Sequence, residues 1–363
     1  MNRLVRLKLR SAEYRYDIRI SDERLLNSLM IELASLRYSN LFVVTNTVVW
    51  KLYGPHITAS FKKAGIAYRA VLVPDGEVYK NLKTVQKIYD ALLLYHADRR
   101  SILIGIGGGV VGDVTGFAAS TYMRGIRYIQ VPTTLLAQVD AAIGGKTGVD
   151  YALVKNIAGT FYQPLFVYSN IHFLETLPHR IYRAGIAEVI KYGIIRDKSL
   201  FSYVQKHRAG VLAQSPQSML KILYESSRIK AEFVEKDEKE TSGIRMLLNF
   251  GHTFGHAIES STQYRTLHGE AVGIGMIIAA EISYLLDLCK KDVPEKIEQV
   301  IRDMELPVSI NNLDIQHLSK SINYDKKSEA DKIALILLKD IGMPVVYKMD
   351  KKMLKKILME VKI

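Results

Sequence analysis

SILIGIGGGVVGD, residues 101–113, decides how the rest of the chain is read. A β-branched apolar run ends in three glycines, Gly107 to Gly109, and a helical pattern begins at once. A strand that turns through glycine into a helix is the building unit of a helix-covered parallel sheet. Gly107, Gly109 and Gly112 also satisfy G-x-G-x-x-G, in which backbone N–H groups approach a pyrophosphate at a helix N-terminus. Two features depart from the usual dinucleotide fingerprint. The loop follows roughly the third or fourth strand, not the first, and the acid expected about 20 residues on is missing. Asp113 follows at once instead. An ordinary glycine turn and a dinucleotide held in a non-standard way both stay open.

Working outward, LFVVTN (41–46), YRAVLVPD (68–75) and RYIQVPTT (127–134) read as further strands. Between them lie amphipathic segments such as 78–96, with Val78, Leu82, Val85, Ile88, Tyr89 and Leu92 on one side. After about residue 175 the strand signal fades. Segments 180–196, 217–237, 247–260, 268–289 and 293–304 carry helical periodicity, and Pro178 in ETLPHR marks the join. The expectation is an α/β domain with a Rossmann-like parallel sheet over 1–175 and an all-α domain over 176–363. Sites often lie in the cleft between two such domains.

Composition bounds the function. Of 363 residues 48% are hydrophobic and 24% charged, enough apolar material for two packed domains. One cysteine, Cys289, excludes a disulfide framework and fits a reducing cytoplasm. The first 21 residues alternate charged and apolar positions like a strand, without the apolar block of a signal peptide. No run reaches the roughly 18 apolar residues of a membrane span. The net charge of +13 suits nucleic acid, a membrane surface or anionic small molecules. Part of it belongs to KMDKKMLKKILMEVKI, which reads as a solvated amphipathic helix docked on the body. No nucleic-acid motif accompanies the charge.

Polar groups then concentrate. Residues 120–150 set Arg124, Thr133, Thr134, Asp140 and Lys146 among small residues, and 154–161 add Lys155 and Asn156. GGKTGVD is not a P-loop, because Asp140 stands where its first glycine belongs. AGIAEVIKYGII puts Glu188 and Lys191 at i, i+3 in an apolar helix, either a local ion pair or a costly charged couple kept for chemistry. Arg245, Asn249, His252 and His256 follow at spacings of 4, 3 and 4, one helical stripe, with Glu259 beyond. A catalytic zinc needs three N/O ligands and an open position. Candidates are Glu188, His252, His256 and His268, with Glu259; HExxH is absent. Spacing alone does not choose among them, nor between a metal site and a packed, hydrogen-bonded face.

Together GGGVVGDVTGFAASTYMRGIRYIQVPTTLLAQVDAAIGGKTGVD, KNIAGTFYQP, FLETLPHR, GIAEVIKYG, LLNFGHTFGHAIE and LHGEAV resemble the 3-dehydroquinate synthases. Weaker matches extend to PDGEVYK and DKK (325–327), so nearly the whole chain is involved. The resemblance implies a sugar-phosphate cyclase, a carbon–oxygen lyase acting on phosphates, with NAD and one divalent metal, zinc or cobalt. It also implies a cytoplasmic homodimer that binds a small-molecule sugar phosphate, with no nucleic acid and no membrane. The implied reaction turns 3-deoxy-D-arabino-heptulosonate 7-phosphate into 3-dehydroquinate and phosphate. It runs through transient oxidation, phosphate elimination, reduction and aldol closure, as a step toward chorismate and the aromatic amino acids. Related cyclases and metal- and NAD-dependent polyol dehydrogenases such as glycerol-1-phosphate dehydrogenase are the alternatives. A non-catalytic basic nucleic-acid module is a more distant one.

Carried over by motif, the metal ligands are Glu188, His252 and His268. The dinucleotide falls to Gly108, Gly109, Val110, Asp113, Thr133, Thr134, Lys146 and Lys155, with Phe173, Leu174, Glu175 and Thr176. Asn46, Glu77 and Lys80 hold its adenosine side. Substrate contacts are Arg124, Asp140, Lys146, Asn156, Lys191, Lys230, Arg245, Asn249 and His256, with Lys326 or Lys327. Among these Asp140, Lys146, Lys191, Arg245, Asn249 and His256 are the implied catalytic residues, with Glu240. His256 then stands beside the metal, on the phosphate or in proton transfer, and Glu259 is structural. Two departures stand out. The pattern acid-x-Gly-x-Arg has one extra residue here, ETSGIR, which shifts the match to Glu240. Asn170 stands where an aspartate is common.

Overall fold

The computed structural model describes residues 4–10, 14–24, 26–152, 154–263, 265–310, 328–329 and 332–361. They form two compact units. The first is residues 1–177 with 219–235, and the second is 178–218 with 236–363.

The first unit is built on strands β1 (Leu4–Arg10), β2 (Arg15–Ser21), β3 (Leu41–Asn46), β4 (Arg69–Val73), β5 (Ile102–Gly107), β6 (Arg127–Pro132), β7 (Lys146–Tyr151), β8 (Val154–Phe161) and β9 (Phe166–Asn170). Seven make one sheet in the order β1-β2-β9-β6-β5-β3-β4. All neighbours are parallel except the edge pair β1 and β2. Helices cover both faces, so the inner strands are apolar on both sides and show no alternation. Leu41, Val43, Ile102 and Ile104 pack beneath α1 (Asn27–Ser35) and α2 (Thr47–Lys63). Their sequence neighbours Phe42, Val44 and Leu103 face α3 (Leu82–Leu94) and α4 (Gly109–Thr121). Between β3 and β5 the order reverses, since β3 continues to β4 on one side and β5 to β6 on the other. That is the switch point at which doubly wound sheets leave a crevice beyond the strand ends. The glycine turn lies there, so its late position in the chain is no anomaly. β7 and β8 form a separate antiparallel hairpin that strand patterning did not foresee.

The second unit holds α5 (His179–Ile195), α6 (Lys198–Lys206), α7 (Arg208–Leu212), the ends of α8 (Pro216–Lys236), α9 (His252–Ser261), α10 (His268–Leu285), α11 (Asp292–Asp303) and, nearer the C-terminus, α12 (Lys351–Leu358). The middle of α8, residues 219–235, belongs to the first unit. Ala231 and Val234 pack there with Leu9, Tyr16, Ile18, Ile143 and Val167. A single cut at 175/176 leaves this return of the chain out. The expectation of an all-α second domain also needs correcting. It is largely helical but carries a three-stranded antiparallel sheet of β10 (Ser328–Glu329), β11 (Lys332–Asp340) and β12 (Met343–Asp350). β11 buries Leu335 to Leu338 consecutively, and a short continuous apolar run does not separate strand from helix by periodicity. α12 docks through Leu354, Ile357 and Leu358, as its periodicity predicts. Among the described residues no helix is long and apolar enough to cross a membrane.

Glycine sets the spacing of α5, α9 and α10. A Cβ on Gly269 would lie 1.8 Å from the Ala184 carbonyl oxygen, and one on Gly275 would lie 2.1 Å from that of Gly251. Only a bare backbone permits these approaches. They bring Glu188, His252 and His268 together, because these three residues sit on α5, α9 and α10.

Candidate metal and dinucleotide sites

α5 is buried from Ala184 to Ile195, as expected of a helix apolar nearly all round, and Glu188 with Lys191 interrupts that surface. Glu188 is fully buried and ion-paired with the equally buried Lys191. Its Oε1 lies 3.5 Å from His252 Nε2 and 3.6 Å from His268 Nε2. A charged hydrogen bond would be shorter, about 2.7–2.9 Å. A tetrahedral zinc with donors at about 2.0–2.2 Å spaces them roughly 3.3–3.5 Å apart. One carboxylate and two imidazoles, with donor atoms all within 4.8 Å of one another, therefore match a divalent ion in both chemistry and spacing.

Each histidine is held from behind. His252 Nδ1 lies 3.2 Å from the Phe250 carbonyl, which leaves its Nε2 turned toward Glu188. His268 Nδ1 lies 3.4 Å from Glu259 Oε2. Burial, helped by the Lys191 ammonium, pushes His252 well below the usual imidazole range, so its ring is neutral at pH 7, the form a metal requires. Burial acts the same way on His268, but Glu188 and Glu259 overcome it and raise that group to about 10. Without a cation, a proton on His268 neutralises the carboxylates; a metal would displace it. Because the folded value is the higher one, this proton stabilises the metal-free fold fully below pH 6.5 and is lost as pH rises through about 10. The urea midpoint of EDTA-treated protein should therefore fall between pH 7 and pH 9.5, and His268→Asn should flatten that fall. Equal slopes in the two proteins would refute the assignment. Gly269→Ala should cost about 1–3 kcal/mol by overpacking and weaken metal binding, because it drives α10 from α5. Equilibrium unfolding and zinc competition measure the two effects; unchanged zinc affinity would count against the close-approach argument.

His252 and His256 do not share a helix with Arg245 and Asn249, contrary to the single stripe expected. Residues 245–249 form a 3-10 turn, Gly251 is left-handed at φ 77°, and α9 starts at His252. Sequence spacing could not see that break, because Gly251 ends one helix and opens another. His256 is exposed, with its ring centre 5.5 Å from that of His252 and 6.1 Å from that of His268. Arg245 is buried, donating to the Glu238 carbonyl at 2.7 Å. Asn249 donates to the Met246 carbonyl.

In the first unit the residues expected to hold a dinucleotide follow the C-terminal ends of the parallel strands. Asn46 ends β3, Glu77 and Lys80 follow β4, and Gly108 to Asp113 follow β5; Thr133 and Thr134 follow β6, and Phe173 to Thr176 follow β9. α4 begins at Gly109 without a side-chain cap, so its first N–H groups are not claimed by a capping side chain. A Cβ on Gly112 would lie 2.4 Å from Oε1 of the buried Gln130, so a larger residue there needs that side chain to move. Lys80 is buried. Its Nζ lies 2.5 Å from Asp113 and donates to Asn156 Oδ1 at 2.5 Å, joining two expected cofactor residues to an expected substrate residue. Burial alone would favour neutral Lys80, and Asp113 holds it protonated. Asn46 caps α2 through Val49 N–H and donates to Asp75. Phe173 and Leu174 are buried, which leaves their backbone as what they can offer a ligand. Val110 is partly buried against the core, while Glu77 and Glu175 are exposed. On the hairpin Lys146 is exposed and Lys155 half-buried. Buried Lys230, from α8, pairs with Asp140 at 2.5 Å. Arg124 is exposed in a left-handed turn, φ 66°, beside Met123 and Gly125. Lys326 and Lys327 lie outside the described residues.

Known proteins resemble this chain over most of its length. Residues 70–184 match the 3-dehydroquinate synthase N-terminal family and 185–328 the C-terminal one. A 3-dehydroquinate synthase from Thermodesulfovibrio yellowstonii is 44% identical over 331 residues, 90% of this chain and 92% of its own length. The chain belongs to the 3-dehydroquinate synthase family. Among solved structures, a 2-deoxy-scyllo-inosose synthase complexed with carbaglucose-6-phosphate, NAD+ and Co2+ superposes with a TM-score of 0.89 at 25% identity, covering 99% of this chain and 100% of its own. The 2-epi-5-epi-valiolone synthase of Streptomyces hygroscopicus subsp. jinggangensis, with NAD+ and Zn2+ bound, gives 0.87 at 27%, covering 99% and 98%.

One departure from the 3-dehydroquinate synthase pattern has a local explanation. Asn170 Nδ2 donates to the Glu23 carbonyl while its Oδ1 accepts from His172 N–H; an aspartate could not make the first bond. In the loop before Arg245 both Glu240, φ 56°, and Gly243, φ 80°, are left-handed, and Glu240 Oε1 lies 3.5 Å from Arg245 Nε. Asp237, a residue sequence reading passed over, closes this loop by accepting from the N–H groups of Thr241, Ser242 and Arg245. Its position eight residues before an arginine was the only signal.

Proposed function

We propose that this chain converts 3-deoxy-D-arabino-heptulosonate 7-phosphate into 3-dehydroquinate and phosphate. Membership of the 3-dehydroquinate synthase family supports the reading, and the Glu188, His252, His268 donor set is the observation that carries it. When bound, NAD would take up and return a hydride, and a divalent ion, zinc or cobalt, would polarise the reacting oxygen. Glu188, His252 and His268 hold the ion. The turns after β3, β4, β5, β6 and β9, with Lys146 and Lys155, hold the dinucleotide, whose pyrophosphate suits the start of α4.

The remaining polar groups suit an anion with a carboxylate and a phosphate. Lys191 and Lys230 are buried and ion-paired with Glu188 and Asp140, and buried charge acts more strongly than exposed charge. With Arg124, Lys146, Arg245 and one of Lys326 and Lys327 they supply the substrate's counter-charges, and Arg245 offers a fork suited to bidentate contact. Asp140, Asn156 and Asn249 orient hydroxyls. Exposed His256 either donates to the phosphate or moves a proton, and Glu240 acts through Arg245. We place the enzyme in the cytoplasm as a homodimer, readings supported by its single cysteine and its family.

The test supplies the heptulosonate phosphate with substoichiometric NAD and zinc and follows phosphate and dehydroquinate together. Equal amounts of both products, without net NADH, are expected. Absent phosphate release, or stoichiometric NADH, would overturn the reading; the latter points to a polyol dehydrogenase.

A further inference from the structure

We propose that Glu259 is a positioning residue that orients His268 as a metal ligand, an inference that rests on the metal reading above. Glu259 stands on α9 seven residues after His252 and is buried. Its Oε2 lies 3.4 Å from His268 Nδ1, while Nε2 of the same ring lies 3.6 Å from Glu188. One imidazole thus spans two carboxylates, and only its Nε2 faces the donor set shared with His252. The ring needs such a hold. His268 is the first residue of α10, and its side chain is about one-third exposed, at 32%, so packing alone does not set its rotation. His252, at 12%, is more enclosed and rests on a backbone carbonyl instead. A carboxylate behind an imidazole fixes the tautomer, orients the ring and makes the facing nitrogen a stronger donor. The i+7 position of Glu259 gives it this task, since it puts the carboxylate two turns beyond His252 on the same helix face.

The test titrates the full chain, stripped of metal, with Co2+ and follows the visible cobalt bands, with Zn2+ measured by chelator competition. Glu259→Ala should weaken both metals by about 10- to 100-fold, and Glu259→Gln by less, because its amide oxygen still accepts from Nδ1–H. The metal-free variants should keep the parent's circular dichroism. If both variants bind within twofold of the parent, the proposal is overturned. Where Glu259→Ala fails to fold, Glu259→Gln decides: weaker cobalt binding with altered bands supports the proposal, and parental affinity and bands overturn it. His256, Glu259 and His268 also lie within ligand range of one another. Two ions per parent chain, the second lost in Glu259→Ala, would therefore make Glu259 a ligand and overturn its positioning role. A parent that takes no cobalt overturns the metal reading and this proposal together, whereas parental uptake with unchanged variants overturns this proposal alone.

Discussion

His252→Ala is expected to leave the protein without stoichiometric zinc and to lower turnover by about a thousandfold, while His256→Ala keeps its zinc. The two histidines are four apart on α9, so helical spacing treats them alike. Their surroundings do not. His252 Nε2 faces the buried Glu188, its Nδ1 is held by the Phe250 carbonyl, and burial keeps it neutral. His256 is exposed and outside the Glu188 set. Loss of a Lewis acid is worth several kcal/mol of transition-state stabilisation, on the order of 10³ in rate. Removing a proton-transfer or phosphate group costs about 10²–10⁴ without touching the metal. Metal analysis beside steady-state kinetics separates the two. Zinc lost equally from both variants would move His256 into the ligand set.

Lys191→Met should destabilise the metal-free protein by about 3–5 kcal/mol, and zinc should return most of it. Methionine keeps the volume of the stem and removes only the ammonium. Glu188 and Lys191 are both out of water and in direct contact, so removing the ammonium leaves the buried carboxylate to the proton that His268 shares with Glu259. A divalent ion on Glu188 supplies the missing charge, and the penalty should shrink when zinc is present. The measurement is urea unfolding of parent and variant with zinc and with EDTA. An equal penalty in both conditions would mean that Lys191 is not the counter-charge of an empty metal site. A penalty below about 1 kcal/mol would mean that the pair is solvated, against its burial.

Much of this was legible along the chain. Strands at 41–46 and 127–132 and helices at 179–195 and 292–303 are found within a residue or two of where periodicity puts them, because apolar spacing records which face of an element is buried. The hairpin at 146–161 escaped, since β8 has no buried residue and the buried part of β7 is only Thr147, Gly148 and Val149. β11 escaped because a buried run has no period, and β12 because only its Met349 is buried. The glycine turn was read correctly as strand–turn–helix, but its place at the switch point is a property of strand order, which no local pattern carries.

The sequence by itself determined most of the first unit's sheet and the long helices, the residue types available for chemistry and the family. Tertiary structure decided which of them act together. A tripeptide step on a helix reports only which side chains share a face, whereas a ligand set depends on distances between helices far apart in the chain. Here those distances come from backbone contact at Gly269 and Gly275, which gathers Glu188, His252 and His268. Tertiary structure also puts Glu259, a candidate ligand by spacing, behind His268, and in the first unit it sets Lys80 between Asp113 and Asn156.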